Sequence, residues 1–134
     1  MASRIFLVGT GVESIYACCL TADGQLELIH ENKCGQGSTW LFRRQDLLYV
    51  VNEHSNQIET FTIEDQQQGK LTLKNTISSI GYTPCSFDID PSGKWLGVAK
   101  YTLSSCSACQ LNNLFLFWFL VMVMRAHRMS FSFH

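Results

Sequence analysis

The amino-acid sequence predicts an all-β fold, and three observations carry this prediction. Short apolar runs rich in β-branched and aromatic residues, such as residues 47–51 and 58–63, are separated by polar stretches. Hairpin-forming turns lie between such runs, as in Ala22-Asp23-Gly24-Gln25, where Asp-Gly supplies the positive φ angles that a tight turn needs. The third observation is that the pattern repeats along the chain.

The repeat has a period in the mid-forties. Residues 6–9 align with residues 49–52 at a spacing of 43, and residues 96–99 align with the same segment at a spacing of 47. A repeat of this length with about four strands is typical of a β-propeller blade. We therefore expect a partial β-propeller of about two to two and a half four-stranded antiparallel blades. A β-meander with accidental similarity is the alternative.

The predicted strands follow in order, and each blade ends at a connecting loop. The first blade contains residues 4–9, 14–20 and 26–30, the second 38–43, 47–53, 57–63 and 70–77, and the third 84–89 and 95–100. The run at 47–51 is apolar on both faces, which suits a strand between two layers. Asp90-Pro91-Ser92-Gly93 has the residues of a type I turn.

Composition excludes several classes of function. The net charge of -1 gives no basic surface for nucleic acid. We find no secretory signal, so the six cysteines are expected to be free thiols in the cytoplasm. Cys106 and Cys109 have the spacing of a metal or redox pair, but no second pair accompanies them. We therefore expect neither a metal site nor a cofactor.

Several runs resemble those of the lactonase-family seven-bladed propellers, which include 6-phosphogluconolactonase and the carboxymuconate cyclases. These runs are Leu48-Tyr49-Val50-Val51-Asn52-Glu53, Gln68-Gly69-Lys70-Leu71-Thr72, Gly81-Tyr82-Thr83-Pro84-Cys85, Asp90-Pro91-Ser92-Gly93-Lys94 and Val98-Ala99-Lys100-Tyr101. The resemblance covers roughly residues 4–101, with the motifs in the family's order. Ser86 departs from the family's usual His, and Lys100 from its usual Asn.

The resemblance implies a site at the mouth of the propeller channel, where His, Arg and Glu side chains handle an anionic lactone or a muconate. Most of those residues would come from blades outside this sequence. Within it, the ligand-binding candidates are Glu53, His54 and Lys100. We place Lys100 one repeat after Glu53, so that the two charges could pair or bind a ligand. Each residue also has a structural alternative: a capping carboxylate for Glu53, a solvated loop for His54 and a surface charge for Lys100.

The composition changes after Tyr101. Residues 102–134 contain no Asp, Glu or Lys, and residues 114–124 form an unbroken apolar run followed by Arg125. We divide the chain into an incomplete propeller at 1–101 and a hydrophobic tail at 102–134. The tail could be a membrane anchor, although a span needs about 20 apolar residues. It could also cover a blade edge, or it could be a translated segment that does not belong to the fold.

The sequence thus predicts an incomplete lactonase-like propeller without catalytic activity of its own. Its uncovered strand edges favour self-association. A non-catalytic interaction module and a small tail-anchored membrane protein are the alternatives from other functional classes.

Overall fold

The computed structural model describes residues 4–102 and 106–111, and for Gln110 the backbone alone. It contains ten strands and, within these residues, no helix. The strands are β1 (Arg4–Gly9), β2 (Ser14–Leu20), β3 (Leu26–Lys33), β4 (Ser38–Arg44), β5 (Leu47–Asn52), β6 (Gln57–Asp65), β7 (Lys70–Ser78), β8 (Pro84–Ile89), β9 (Trp95–Lys100) and β10 (Cys106–Gln110).

The strands form three separate antiparallel sheets, ordered β1-β2-β3, β4-β5-β6-β7 and β8-β9-β10. We call these sheets blade 1, blade 2 and blade 3. Each sheet is an up-and-down meander, because strands that follow each other along the chain are also neighbours in the sheet. The predicted all-β partial propeller is confirmed, and all nine strands predicted before residue 101 are present.

Two apolar cores hold the blades together, one on each face of blade 2. The core between blades 1 and 2 contains Ile15 from blade 1 and four blade 2 residues: Leu48, Val50, Phe61 and Ile63. The core between blades 2 and 3 contains the following buried residues: Tyr49, Val51, Ile58, Phe87, Ile89, Leu96, Val98 and Cys109. Alternate side chains of β5 therefore face opposite neighbours, which explains why the run is apolar on both faces.

Polar contacts also cross the gaps between blades. The Asn32 side chain, at the end of blade 1, donates to the Gly69 carbonyl at 2.9 Å and accepts from the Leu71 backbone N–H at 2.8 Å. Arg44 of blade 2 donates to the Pro91 carbonyl at 2.8 Å, in the turn between β8 and β9. Because the Asn32 side chain is buried, its two hydrogen bonds fix the relative position of blades 1 and 2.

The strand registers correct the spacing of the repeat. Gly9 pairs with Ile15, whereas Val51 pairs with Ile58, so the loop in blade 2 is one residue longer and β1 corresponds to β5 at a spacing of 42. Leu48 and Val50 face the preceding blade, as do Leu96 and Val98, which gives a spacing of 48 for β9. The alignments at 43 and 47 are each wrong by one position in these strands.

The boundary at residue 101 stays a prediction. β10 lies beyond it and pairs with β9, placing Cys106 opposite Ala99 and Cys109 opposite Leu96. The apolar run at 114–124 lies outside the described residues, so its three alternatives remain open. Within the described residues, no helix is long and apolar enough to cross a membrane.

Candidate functional site

The hairpin that follows β5 carries two of the three candidate residues, and backbone hydrogen bonds fix it against the loop between blades 1 and 2. The Glu53 N–H donates to the Gly37 carbonyl at 2.8 Å, and those of His54 and Ser55 donate to the Gln36 carbonyl, both at 3.2 Å. These three bonds satisfy the backbone donors just beyond the end of β5. Glu53 and His54 are thus positioned by a rigid turn.

The side chains of Glu53 and His54 differ in their exposure to solvent. Glu53 is half-buried and His54 is exposed. Neither side chain forms a hydrogen bond or an ion pair with the residues that the structure describes. The predicted alternative for Glu53, a carboxylate that caps backbone N–H groups, is not seen in these contacts.

Lys100 ends β9, and its ammonium group is partly buried against the loop between blades 2 and 3. The ammonium donates to the Ile80 carbonyl and lies beside Gly81. Burial lowers the pKa of Lys100, whereas the neighbouring thiols of Cys109 and Cys106 act in the opposite direction. The Lys100 ammonium is therefore hydrogen-bonded and partly buried, which differs from the surface charge of the alternative interpretation.

The register shows that Lys100 corresponds to Asn52 and not to Glu53. Pro84 of β8 pairs with Lys100, as Ser38 of β4 pairs with Asn52. The expected match between Glu53 and Lys100 is wrong by one residue, which follows from the one-residue error in the β9 spacing. Since successive side chains of a strand point to opposite faces, this error changes which blade each side chain meets.

Loop 79–83 is hydrogen-bonded both to Asn56, in the hairpin that carries Glu53 and His54, and to Lys100. At its start, the Ser79 N–H and Oγ both donate to the Asn56 carbonyl at 3.0 Å, and at its end the Thr83 N–H donates to Asn56 Oδ1 at 2.8 Å. The same loop provides the Ile80 carbonyl that Lys100 contacts. The hairpin with Glu53 and His54 and the end of β9 therefore flank loop 79–83.

The two charges do not pair across this loop. The ion pair formed among the described side chains is Lys33 with Glu31, at 2.7 Å. No hydrogen bond joins Lys100 to Glu53 or His54 in the part of the chain that the structure describes. The role of the three residues in ligand binding stays a prediction.

A buried polar cluster that the sequence patterns did not predict lies beside this hairpin. Asn52 is fully buried, Glu59 is 7 % exposed, and the Ser55 hydroxyl is also buried. Glu59 accepts a hydrogen bond from the Gly35 N–H at 2.8 Å. An acidic residue within a strand that faces another layer could have signalled this cluster, because carboxylates are seldom buried without a partner.

Cys106 and Cys109, the pair with metal-ligand spacing, both lie on β10. Cys106 and Cys109 lie three positions apart on a strand, so their side chains point to opposite faces. All six cysteines are free thiols. Burial raises the pKa of the Cys109 thiol. No three His, Cys, Asp or Glu side chains converge within residues 4–102 and 106–111.

A cavity of about 220 Å³ lies between blades 1 and 2, near the ends of β4 and β6 that are far from the hairpin with Glu53 and His54. Its lining is as follows: Ile5, Leu7, Arg43, Ile63, Gln66 and Gly69. None of the three candidate residues contributes to it, so this cavity is separate from the predicted site.

The sequence matches the model of a known protein family. The family model of the lactonases, described as "Lactonase, 7-bladed beta-propeller", matches residues 6–114. The match begins within β1, includes the other nine strands and covers most of the sequence. The chain therefore belongs to the lactonase family of seven-bladed β-propellers, as the sequence motifs indicated.

Solved structures share the fold at low sequence identity. A candidate 6-phosphogluconolactonase from Bacteroides fragilis is 22% identical with a TM-score of 0.68, and the match covers 83% of this chain and 33% of that one. The periplasmic gluconolactonase PpgL of Pseudomonas aeruginosa is 19% identical with a TM-score of 0.63, covering 73% and 30%. The chain thus spans about a third of the length of these proteins. The comparison with curated protein sequences gives no significant match.

Proposed function

We propose that this chain forms part of the wall of a lactonase-type channel and binds a small anionic lactone or muconate through Glu53, His54 and Lys100. One observation carries the proposal. In a chain of the lactonase family, the two elements that hold these residues flank the same loop, at the same ends of β5 and β9. 6-Phosphogluconolactone is the first substrate to test, because the sequence resembles the 6-phosphogluconolactonases.

The chemistry of the three side chains suits such a ligand. An ammonium such as that of Lys100 attracts a phosphate or carboxylate as a point charge. His54 is exposed, and an imidazole can exchange a proton near neutral pH, as opening of a lactone ring requires. Glu53 could orient a water molecule or the imidazole.

We further propose that this chain alone does not catalyse lactone hydrolysis. Efficient acid–base catalysis needs the acid, the base and the anion-binding cations within hydrogen-bonding reach of one substrate. Among the described residues the proposed site has one cation, one acid and one imidazole, whereas the family resemblance implies His, Arg and Glu side chains from several blades. A complete site would need groups from further blades.

The test uses the purified full chain with 6-phosphogluconolactone, and with 6-phosphogluconate as a ligand that cannot be hydrolysed. We expect hydrolysis at the spontaneous rate, together with NMR shift changes at Glu53, His54 and Lys100 on addition of 6-phosphogluconate. Lys100→Ala and His54→Ala should weaken these changes, whereas Lys74→Ala, an exposed cation of β7, should not. Turnover at enzyme-like rates would refute the lack of activity, and shift changes confined to other surfaces would refute the site.

A second candidate function, a binding module that associates with itself, is favoured by the outer face of blade 1. Phe6, Val8, Leu26 and Leu28 are each between 40% and 57% exposed. At the corrected spacing of 42, Phe6 and Val8 correspond to Leu48 and Val50 of blade 2. Those two residues are buried against blade 1. The outer face of blade 1 thus repeats a surface that packs on a blade, and a second copy of this chain is the occupant that we propose.

Light scattering coupled to size-exclusion chromatography tests this association. The wild type should form dimers or larger species, and Leu28→Glu should shift the distribution toward the monomer. Leu73→Glu is the matched control, because Leu73 is 52% exposed on β7 of blade 2. A monomeric wild type, or equal effects of the two variants, would refute association through this face.

Carbonate extraction tests whether the chain is anchored in a membrane. A tail-anchored protein would remain in the membrane fraction after carbonate extraction, and an unanchored one would be released. The cytoplasmic location also stays a prediction, and the name of the Pseudomonas aeruginosa relative describes that protein as periplasmic.

A further inference from the structure

Blades 2 and 3 contain two versions of the same small pocket. In each, the last residue of the second strand lies against a glycine in the loop that enters the blade. A Cβ atom at Gly35 would lie 2.5 Å from Asn52 Nδ2, and one at Gly81 would lie 3.0 Å from Lys100 Nζ. Since Asn52 and Lys100 occupy equivalent register positions, the two pockets can be compared atom by atom.

In blade 3 the pocket is filled by a positive charge that belongs to the chain. The Lys100 ammonium donates to the Ile80 carbonyl of the entering loop. At the position that corresponds to Glu59 in blade 2, blade 3 has Ser107, whose hydroxyl donates to the Ser79 carbonyl at 2.9 Å. This pocket therefore combines a cation with neutral oxygen atoms.

In blade 2 the pocket has the opposite charge. Glu59 is 7 % exposed, and one oxygen of its carboxylate accepts the Gly35 N–H at 2.8 Å. No cationic side chain in the described part of the chain pairs with it. A buried carboxylate needs such compensation, because leaving water costs a charged group far more than it costs a neutral one.

The neighbouring polar atoms of this pocket also lack partners. Asn52 is fully buried, and neither its Oδ1 nor its Nδ2 forms a hydrogen bond with the described residues. The same holds for the Ser55 hydroxyl, which lies near the same point: a Cβ at Gly35 would be 3.0 Å from Ser55 Oγ. Buried polar groups without a partner are rare, so these atoms indicate a bound species.

We propose that the blade 2 pocket binds one monovalent cation, of the potassium or ammonium type, through the carboxylate of Glu59, Oδ1 of Asn52 and Oγ of Ser55. Half a turn of the Asn52 amide about its Cβ–Cγ bond brings its oxygen to the place where the nitrogen lies. One carboxylate matches one positive charge, and hard cations prefer oxygen ligands. The lysine ammonium of blade 3 occupies the equivalent place.

Thermal unfolding of the full chain tests this site. Scans are run in potassium, ammonium, sodium or choline chloride at constant ionic strength, so that general screening is the same throughout. Bound cation stabilises the folded state, so Tm in potassium or ammonium should exceed Tm in choline by about 5 °C at saturation. Glu59→Gln should abolish the difference. Glu64→Gln, an exposed acid on the same strand, should retain it.

Asn52→Lys provides a second and independent test. This variant copies Lys100 into blade 2, so its ammonium should replace the bound cation. We expect a Tm in choline close to that of the wild type in potassium, with no further response to salt. Should this variant not fold, the wild type and the two Gln variants still decide.

Two results would overturn the proposal. A wild-type Tm that is equal in all four salts would mean that a trapped water molecule, and not a cation, completes the pocket. An equal response in the wild type and Glu59→Gln would place the cation elsewhere. Neither result bears on the lactone site, which is tested by ligand-induced shift changes.

Discussion

Blade 1 and blade 2 contain nearly the same strands but bury them very differently. Leu48 and Val50 of blade 2 are 2% and 0% exposed, whereas Phe6 and Val8, at the equivalent positions of blade 1, are 44% and 40% exposed. Blade 2 lies between two other sheets, whereas blade 1 has a neighbouring sheet on one face among residues 4–102 and 106–111. The sequence of a blade thus provides apolar side chains on both faces of the sheet. The neighbouring blades determine which of these faces is buried.

The two blades should differ most in the stability that they lose when an equivalent apolar side chain is truncated. Leu48→Ala should lower the free energy of unfolding by about 2–4 kcal/mol, because it leaves a cavity in the core between blades 1 and 2. Phe6→Ala should cost about 1 kcal/mol or less, although it removes a larger side chain, because much of that side chain is already in water.

Urea denaturation measures both changes, as a lower midpoint at an unchanged m-value. Equal losses for the two variants would show that Phe6 is covered in solution. They would thereby contradict the difference in burial between the blades.

A comparable or smaller effect is expected at the turns that precede the last strands of blades 1 and 2. Gly24 and Gly69 have φ angles of +86° and +65°, and both disfavour an L-residue. A Cβ at Gly24 has no atom within 4 Å, whereas one at Gly69 would lie 2.4 Å from the Cβ of Ala17 in blade 1. Gly24→Ala should therefore cost about 1 kcal/mol from the backbone alone, and Gly69→Ala about 1–3 kcal/mol more from overpacking.

Thermal or urea unfolding compares these two variants with the wild type. The difference between them isolates the contact between blades, since the backbone conformation is alike. If both variants lost the same stability, the turn of blade 2 would not lie against blade 1.

The smallest expected loss of stability concerns the turn between β8 and β9 of blade 3, and it depends on pH. The Asp90 carboxylate accepts the N–H groups of Ser92, Lys94 and Trp95 at 3.1, 3.0 and 2.8 Å. The Ser92 hydroxyl also donates to it, and this bond, followed by the backbone bonds, lowers the pKa of Asp90 below its usual 3.8. The stabilisation is therefore present above the unfolded-state pKa and is lost as the pH falls through the lower pKa of the folded state.

Asp90→Asn should thus lower the Tm at neutral pH, and the difference from the wild type should shrink toward zero at acid pH below the usual carboxyl pKa. Melting curves of both proteins across this range measure the effect. A difference that stays constant with pH would mean that the charge of Asp90 does not stabilise the turn.

Much of the fold was predictable from local patterns. Strand positions follow from apolar runs, and turns follow from pairs such as Asp23-Gly24, whose conformational preferences act over a few residues. The bounds of β4, β5 and β6 in the structure differ from the predicted ones by at most two residues. The lactonase motifs likewise identified the family, because they preserve order and spacing along the chain.

The register between blades was not predictable in the same way. Shifting β9 by one position leaves its hydrophobic pattern almost unchanged, since the strand is apolar on both faces. The same shift moves each side chain to the opposite face of the sheet, where it would contact a different blade. For this reason Lys100 was matched with Glu53 when it corresponds to Asn52. The buried cluster of Asn52, Ser55 and Glu59 was missed because its members look like ordinary polar residues near a turn.

Local patterns in the sequence were sufficient for nine of the ten described strands, their turns, the blade-sized repeat and the lactonase family. These depend on backbone preferences and on apolar periodicity, which are local properties. Only the tertiary structure decided which face of each blade is covered, that Lys100 lies against Ile80, and that Glu59 is buried without a cationic side chain beside it in the described part of the chain. These depend on how the strands are registered and on which sheet lies next to which, and burial changes the energy of a charge far more than any neighbour in the sequence does.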